Sequence, residues 1–182
     1  MIAWPALLLI AAAGYLIGSI PNGYLIGRVL GVDPRTRGSG KTGASNVLRT
    51  MGPKASAAVL LCDMAKGAAA VALARLFFRD VLEAQVVAGV AAIIGHVLPV
   101  FIGFRGGRGV ATALGAMLVI SPLVGLVALI SGLLIIARSK IASLGSLLGT
   151  GLALAVIAVL VASRLEPPLA LVYCVLASLI LA

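Results

Sequence analysis

The sequence predicts an all-α integral membrane protein, and its composition and patterning support this fold class in three ways. Of the 182 residues, 62% are hydrophobic and only 10% are charged, whereas soluble domains average about 25% charged residues. The apolar runs are continuous and longer than the roughly 10-residue alternating strands of a membrane barrel. The chain has 22 glycines and 4% aromatic residues, a composition typical of membrane helices that pack closely through small side chains.

The apolar segments, taken in chain order, are the candidate helices. The first lacks a basic region at its start and is about as long as a membrane span, so we expect an uncleaved helix rather than a signal peptide. It carries rows of small residues every fourth position, which would let a neighbouring helix approach closely. These rows are Gly14 with Gly18, and Ser19, Gly23, Gly27 and Gly31. The apolar segments are 3–27, 54–78, 84–103, 110–137, 144–162 and 168–182.

Basic residues dominate the charge of the chain, with 14 Lys and Arg against 5 Asp and Glu. Basic loops beside membrane spans stay in the cytoplasm, so we place the polar segment 28–54 on that side. Topology and attraction to anionic lipid explain the number of basic residues here, but not the glycines or Asn46. The basic residues of this segment are Arg28, Arg35, Arg37, Lys41, Arg49 and Lys54.

The long apolar segment 110–137 is predicted to form two helices. If the segment formed one span, Arg138 and Lys140 would lie outside the cytoplasm, against the rule that basic residues beside membrane spans stay in the cytoplasm. Ser121–Pro122 interrupts the segment, because proline removes a helix hydrogen bond and restricts the residue before it. Two short helices return the basic pair to the cytoplasm, and such half-length helices are tolerated when buried in protein. We therefore predict seven transmembrane helices, some short, with cytoplasmic glycine-rich loops that form the site.

The segment G-S-G-K-T-G-A-S-N, residues 38–46, first suggests a nucleotide-binding loop. Its first six residues fit the dinucleotide fingerprint, but that fingerprint needs a preceding strand and an acidic residue about 20 positions later. Here a membrane helix and the residues V-D-P-R-T-R come before the loop, where a strand would be needed. A Walker A loop needs a glycine where this chain has Arg35. Both nucleotide-binding interpretations therefore fail on context.

A second glycine-rich loop, R-G-G-R-G at 105–109, precedes a helix predicted to begin near Val110. A helix N-terminus offers free N–H groups and the positive end of a dipole. Glycine lets the backbone approach an anion, and arginine donates forked hydrogen bonds to phosphate. The two loops therefore predict phosphate binding at one face, although single arginines at helix ends are also common as interfacial anchors. The first loop repeats the combination with Ser39, Lys41, Thr42, Asn46 and Arg49.

Three polar residues lie inside apolar helices. Asp63 and Lys66 are three positions apart, so they face the same side of a helix and can pair. Because charges within a membrane are costly, both a functional role and a structural ion pair are open for them. His96 is the one histidine of the chain. It is either a hydrogen-bonded core residue or, being close to Arg105, part of the site.

Five segments of the chain, in order and with matching spacing, carry a family resemblance. They are G-S-I-P-N-G-Y-L-I-G-R, G-S-G-K-T-G-A-S-N-V-L-R-T-M-G, D-M-A-K-G, G-H-V-L-P-V-F-I-G-F-R-G-G-R-G-V-A-T-A-L-G and I-A-S-L-G-S. With them the chain resembles the acyl-phosphate:glycerol-3-phosphate acyltransferases (PlsY family) of bacterial membranes. The resemblance implies one transmembrane domain over residues 1–182. It also implies transfer of an acyl chain from acyl phosphate to the 1-hydroxyl of glycerol 3-phosphate, giving 1-acylglycerol 3-phosphate (lysophosphatidic acid) and phosphate.

The resemblance also implies which residues form the site and what the protein works with. We predict catalytic roles for Ser39, Arg49, His96 and Arg108. The predicted substrate-binding residues are Gly38, Gly40, Lys41, Gly43, Asn46, Arg105, Gly106, Gly107, Gly109, Thr112 and Ser143. The expected partners are acyl phosphate, glycerol 3-phosphate and membrane lipid, with no cofactor, metal or nucleic acid, and a monomer is favoured.

The sequence departs from the family pattern in three places. Lys41 replaces an asparagine, which adds charge to the first loop. Arg105 and Arg108 replace two lysines, which keeps the charge but changes point donors into forked ones. The final family motif, R-H-x-x-N-I-x-R, is missing, and segment 168–182 has 15 residues where a span needs about 20. Together these last features indicate a truncated chain.

The predicted chemistry needs no protein nucleophile, because an acyl phosphate is an activated anhydride. Binding both anions and neutralising the leaving phosphate would supply most of the rate. The hydroxyl proton can pass to a phosphate oxygen of the substrate, since the sequence offers one histidine and five acids, most of them far from the loops. We expect the bacterial cytoplasmic (inner) membrane as the location, with the site facing the cytoplasm. The alternative is an anion or phosphate-ester transporter, which short helices and basic loops also fit.

Overall fold

The computed structural model describes residues 3–79 and 81–181, which fold into a bundle of α-helices. Short 3-10 helices at Pro34–Thr36 and Val100–Ile102 lie in two of the connecting segments. The α-helices are α1 (Trp4–Gly18), α2 (Asn22–Val29), α3 (Ala44–Met51), α4 (Pro53–Phe77), α5 (Leu82–Val97), α6 (Val110–Ile120), α7 (Pro122–Ser139), α8 (Ala142–Ala162) and α9 (Pro168–Leu181).

Five helical stretches of the described chain are long and apolar enough to cross a membrane. Two shorter apolar helices, α6 and α9, accompany them. Large apolar side chains are exposed on the outside, among them Leu8 at 71% and Leu179 at 69%, as expected where helices face lipid tails. The predicted all-helical membrane fold is confirmed, whereas the count of seven spans, which needs both short helices, stays a prediction. The five stretches are Trp4–Val29, Pro53–Phe77, Leu82–Ile102, Pro122–Ser139 and Ala142–Ala162.

The first apolar segment is not the single helix that the sequence predicts. Helix α1 ends at Gly18, and α2 begins at Asn22. The physical reason is Pro21, whose missing N–H cannot continue the hydrogen-bond ladder. The break leaves the Ile20 carbonyl free of the helix, and Lys66 Nζ of α4 donates a hydrogen bond to it at 2.7 Å.

The predicted break at Ser121–Pro122 is confirmed. Helix α6 ends at Ile120 and α7 begins at Pro122, while Ser121 has an extended backbone. The Ser121 hydroxyl donates a hydrogen bond to Glu166 Oε1 at 2.7 Å, which ties this junction to the segment between α8 and α9. The short helix α6 packs against α4, α5, α7 and α9, as a half-length helix within a membrane must.

Glycines at the helix crossings let backbones touch. A Cβ at Gly18 of α1 would collide with the Ala92 carbonyl of α5, and one at Gly67 of α4 would collide with the Thr112 carbonyl of α6. The predicted packing role of the Gly14 and Gly18 row is therefore confirmed. The second row divides at the Pro21 break, and Gly23 packs instead against the carbonyl of Thr42 in the polar loop.

Gly115 of α6 and Gly151 of α8 form a matched pair for testing this packing. A methyl group at Gly115 would collide with the Met64 carbonyl, whereas one at Gly151 meets no atom within 4 Å. We expect Gly115→Ala to lower the free energy of unfolding by about 1–3 kcal/mol through overpacking. Gly151→Ala should be neutral or raise it by up to about 1 kcal/mol through better helix propensity. Thermal unfolding in detergent measures both, and equal effects would contradict the close crossing at Gly115.

Candidate active site

The first glycine-rich loop is held in shape by Asn46, a buried residue in the first turn of α3. Its Oδ1 accepts a hydrogen bond from the backbone N–H of Ser39 at 2.9 Å. Its Nδ2 lies 2.8–3.1 Å from the backbone carbonyls of Pro34, Arg37 and Lys41. These contacts use both ends of the amide, so the side chain of Asn46 organises the loop around it.

Glycines permit the tight path of this loop. Gly38 and Gly40 have φ angles of 60° and 70°, in the left-handed region that only glycine enters without strain. A Cβ at Gly38 would also collide with Asn46 Oδ1. Gly43 is the residue before α3, so the loop places Ser39 and Lys41 close to the N-terminus of that helix.

An ion pair closes the start of the same segment. Arg35 Nη2 donates to Asp33 Oδ2 at 2.8 Å, and Arg35 Nε donates to Asp33 Oδ1 at 3.1 Å. The Arg35 guanidinium also lies 4.3 Å from the centre of the Tyr24 ring, within the range of a cation–π contact. These hydrogen bonds from Arg35 hold the pKa of the Asp33 carboxyl below its usual range. The side chain of Arg35 is thus engaged in structure, with Asp33 and Tyr24.

The second glycine-rich loop packs directly on the first and on the end of α5. The backbone N–H of Thr42 donates to the Gly106 carbonyl at 3.4 Å, and that of Gly107 donates to the His96 carbonyl at 3.2 Å. A Cβ at Gly107 would collide with His96 Nε2 and lie 3.2 Å from the Gly43 nitrogen. Gly109, with a φ of 88°, turns the chain into α6. The sequence predicts that both loops lie at one face of the bundle, and the structure shows the two loops in direct contact.

A cavity of about 240 Å³ opens at these loops and continues into the bundle. Its polar end includes Ser39, Arg49, His96, Arg108 and Ser143. From there it runs between α6, α7, α8 and α9, where its lining is largely apolar. Along α8 the lining extends from residue 142 to residue 153, about 16 Å at 1.5 Å per residue. The apolar lining includes Leu114, Met117, Leu129, Leu133, Ile136, Ala153, Ala177 and Leu181.

The polar end of the cavity is positively charged. Lys41, Arg49 and Arg108 line it, and none of the described lining residues is acidic. The first residues of α3, α6 and α8 line it as well, so three helix N-termini direct free N–H groups and positive dipole ends toward it. This arrangement suits an anion, and the apolar groove beyond it suits a hydrocarbon chain.

The structure brings together most, but not all, of the predicted site residues. Those that line the cavity are Ser39, Lys41, Gly43, Asn46, Arg49, His96, Arg108, Gly109 and Ser143. The predicted residues that do not line the cavity are Gly38, Gly40, Arg105, Gly106, Gly107 and Thr112. Of these, Thr112 is fully buried in α6, and Arg105 is exposed outside the lining. Contact between these two residues and a substrate stays a prediction.

Sequence reasoning missed several lining residues and one helix. Helix α3 follows the glycines inside a segment that reads as a polar loop, and Ser45 in its first turn lines the cavity. Ser146 and Thr150 of α8 also line it, and their spacing from Ser143 by three and then four positions is the helical signal that could have found them.

Two of the polar residues predicted within the membrane do pair. Lys66 Nζ lies 3.1 Å from Asp63 Oδ1, and both side chains are at most 5% exposed. Asn22 Nδ2, from the start of α2, donates a hydrogen bond to the same carboxylate oxygen at 3.0 Å. Sequence reasoning missed Asn22, because its side chain reaches Asp63 only through the break at Pro21.

Comparison with known proteins finds glycerol-3-phosphate acyltransferases as relatives of this chain. The family model for glycerol-3-phosphate acyltransferase matches residues 8–182. The chain is 46% identical to glycerol-3-phosphate acyltransferase 3 of Dehalococcoides mccartyi, over 96% of this chain and 87% of that protein. It is 45% identical to the glycerol-3-phosphate acyltransferase of Clostridioides difficile, over 79% of this chain and 73% of that protein.

Solved structures agree with these relatives. A crystal structure of the integral membrane glycerol 3-phosphate acyltransferase PlsY, in its glycerol 3-phosphate form, superimposes with a TM-score of 0.85 at 34% identity. It covers 97% of this chain and 86% of the PlsY chain. The lysophosphatidic acid form superimposes with a TM-score of 0.82 at 36% identity, over 96% of this chain and 86% of that one. The chain therefore belongs to the PlsY-type glycerol-3-phosphate acyltransferase family of multi-pass integral membrane enzymes.

Proposed function

We propose that this enzyme transfers an acyl chain from acyl phosphate to the 1-hydroxyl of glycerol 3-phosphate, releasing lysophosphatidic acid and phosphate. The observation that carries the proposal is the shape of the cavity, which is cationic at the loops and apolar between α6, α7, α8 and α9. An acyl phosphate has the same two parts, an anionic head and a hydrocarbon tail. The solved PlsY forms with glycerol 3-phosphate and with lysophosphatidic acid support the acceptor and the product.

In the proposed reaction, the 1-hydroxyl oxygen of glycerol 3-phosphate attacks the acyl carbon. The bond between that carbon and the phosphate oxygen then breaks, and phosphate leaves. Arg49 and Arg108, which are exposed at the cavity, neutralise the charge that grows on the leaving phosphate. The N-termini of α3, α6 and α8 add N–H donors, and Ser39 and Ser143 lie where their hydroxyls can bind a phosphate oxygen.

The hydroxyl proton, in this proposal, moves to a phosphate oxygen of the substrate. The support is the absence of acidic side chains among the described lining residues, together with a leaving group that accepts a proton readily.

Lys41 adds a further positive charge at the same end of the cavity. Gly38, Gly40, Gly106 and Gly107 act through the backbone path of the two loops.

We also propose how the protein lies in the membrane. The five long stretches and the two shorter helices α6 and α9 give seven spans of one domain. The segments that contain Lys41, Arg49 and Arg108 face the cytoplasm, because basic segments beside membrane spans are retained there. We place the protein in the bacterial cytoplasmic membrane. We propose that it acts as a monomer, because one chain contains the whole cavity.

Phosphate release by the purified protein tests the proposed function. With palmitoyl phosphate and glycerol 3-phosphate in detergent, we expect phosphate and 1-palmitoylglycerol 3-phosphate to form in equal amounts. Omitting glycerol 3-phosphate should abolish the ester product. A transporter of phosphate esters would move substrate across proteoliposomes without any ester formation, and that result would overturn the proposal.

The cavity arginines are expected to be needed for turnover. Arg49→Ala and Arg108→Ala each remove a charge-assisted contact to phosphate, so kcat should fall about 100-fold or more. Arg138→Ala is the matched control, since Arg138 is an exposed arginine at the end of α7 that does not line the cavity. Steady-state kinetics on folded protein checks all three. Near-normal turnover in both cavity variants would make these arginines interfacial anchors.

Asn46 is expected to act by shaping the first loop. Asn46→Asp places a carboxylate oxygen against three backbone carbonyls, which the amide Nδ2 now contacts. We expect this nearly isosteric change to lower both the melting temperature and the turnover, each more than Thr50→Val does. Thr50 is a fair control because its hydroxyl only donates back to the Asn46 carbonyl within α3. Equal behaviour of the two variants would show that the loop holds its shape without Asn46.

A further inference from the structure

Asp63 is a buried acid next to the candidate site, and three polar groups lie close to its carboxylate. Asn22 Nδ2 lies 3.0 Å from Oδ1, Lys66 Nζ lies 3.1 Å from it, and His96 Nδ1 lies 3.6 Å from it. The side chains of Asp63 and His96 are 2% and 5% exposed. The ion pair with Lys66 balances the buried charge, but it does not explain why a histidine of the cavity also faces this carboxylate.

The two ring nitrogens of His96 face different surroundings. Nδ1 is buried and has no hydrogen-bond partner among the described residues, which is unusual for a buried polar atom. The Asp63 oxygen at 3.6 Å is somewhat beyond hydrogen-bond distance, and such contacts often tighten when substrate binds. On the other side of the ring, Nε2 occupies the space beside Gly107, and His96 lines the cavity.

We propose that Asp63 is a positioning residue that keeps the hydrogen of His96 on Nδ1 and leaves Nε2 as a hydrogen-bond acceptor at the cavity. An uncharged imidazole has one donor and one acceptor nitrogen, and a carboxylate that faces one of them selects which is which. The acceptor then faces a site whose charged members, Lys41, Arg49 and Arg108, only donate. This inference rests on the proposed function of the cavity.

The acceptor has a specific use in acyl transfer. The hydroxyl of glycerol 3-phosphate must direct a lone pair at the acyl carbon, and its hydrogen must therefore point away from that carbon. A hydrogen bond from the hydroxyl to His96 Nε2 fixes this orientation. The same hydrogen also lies against a phosphate oxygen of the substrate in a three-centre hydrogen bond, and that oxygen takes the proton as the new bond forms. His96 therefore orients the hydroxyl, and Asp63 acts only through His96.

The break in the first span contributes to this arrangement. Asn22 is the first residue of α2, and Lys66 donates to the Ile20 carbonyl that the break exposes. Asp63 is therefore held by two donors, Asn22 at the start of α2 and Lys66 on α4. Its orientation toward α5, which carries His96, follows from these contacts.

The single histidine of the chain allows a direct test by nuclear magnetic resonance. Histidine-selective ¹⁵N labelling of detergent-solubilised protein, purified without a histidine tag, reports on His96 alone. We expect the hydrogen on Nδ1 in the wild-type protein, and a shift toward the Nε2–H tautomer in the double variant Asp63→Leu, Lys66→Met, which has no acceptor oxygen at position 63. This variant removes both charges, so neither is left buried alone. A wild-type His96 with its hydrogen on Nε2 would overturn the proposal without the need for any variant.

Kinetics tests whether the contact matters for turnover. The double variant should lower kcat about tenfold or more, with the KM for glycerol 3-phosphate changed far less. In a His96→Gln background the same double change should cause no further fall in kcat, because both act through one ring. Gln85→Met, which alters another buried polar residue of α5 away from the cavity, should leave kcat unchanged.

Two kinetic outcomes would overturn the inference. One is a wild-type kcat in the double variant, and the other is a loss that multiplies with that of His96→Gln. A wild-type protein that forms no acyl ester would instead count against the proposed function. In that case the ¹⁵N measurement would still decide whether Asp63 sets the tautomer of His96.

Discussion

Contact between backbones at glycine is the constraint on which both the bundle and the site depend. Within a membrane no hydrophobic effect drives helices together, so they must gain from close packing. Gly18 meets α5 and Gly67 meets α6 through main-chain atoms, which fixes the relative heights of these helices. Contacts of the same kind, Gly107 close to the backbone nitrogen of Gly43 and Gly106 against the backbone carbonyl of His96, join the two cationic loops to each other and to α5. The bundle and the mouth of the cavity are thus set by one type of interaction.

Much of the fold could be predicted from the sequence, because length and polarity decide where a membrane helix can be. The break at Ser121–Pro122 followed from the charge rule together with proline chemistry, and the structure confirms it. The break before Asn22 was missed although Pro21 is visible, because the apolar run continues across it and no charge marks a boundary. Helix α3 was missed because it is short and polar, and because Asn46 in its first turn contacts the preceding loop in a way that no local pattern marks.

The candidate site also has one part that could be predicted from the sequence and one part that could not. Its cationic end was predictable, since glycine beside arginine and lysine in Gly106 to Arg108 or Gly40 to Lys41 is a local chemical signal for phosphate. Its apolar groove was not, because residues such as Met117 and Ala153 come from separate helices and look like any lipid-facing or core residue until the helices are assembled. Roles that depend on distant partners, such as that of Asn22, have no local signal at all.

The pairing of Asp63 with Lys66 also bears on how the protein enters the membrane. A charged residue at the centre of an inserting helix costs about 2.5–3.5 kcal/mol on the scale of the insertion machinery. Because the two charges lie three positions apart on α4, they can neutralise each other as soon as that helix forms, before any other helix is present. The partners on α2 and α5 are needed only afterwards. The same carboxylate therefore acts at two stages, first by lowering the cost of insertion and then by binding Asn22 of α2 in the assembled bundle.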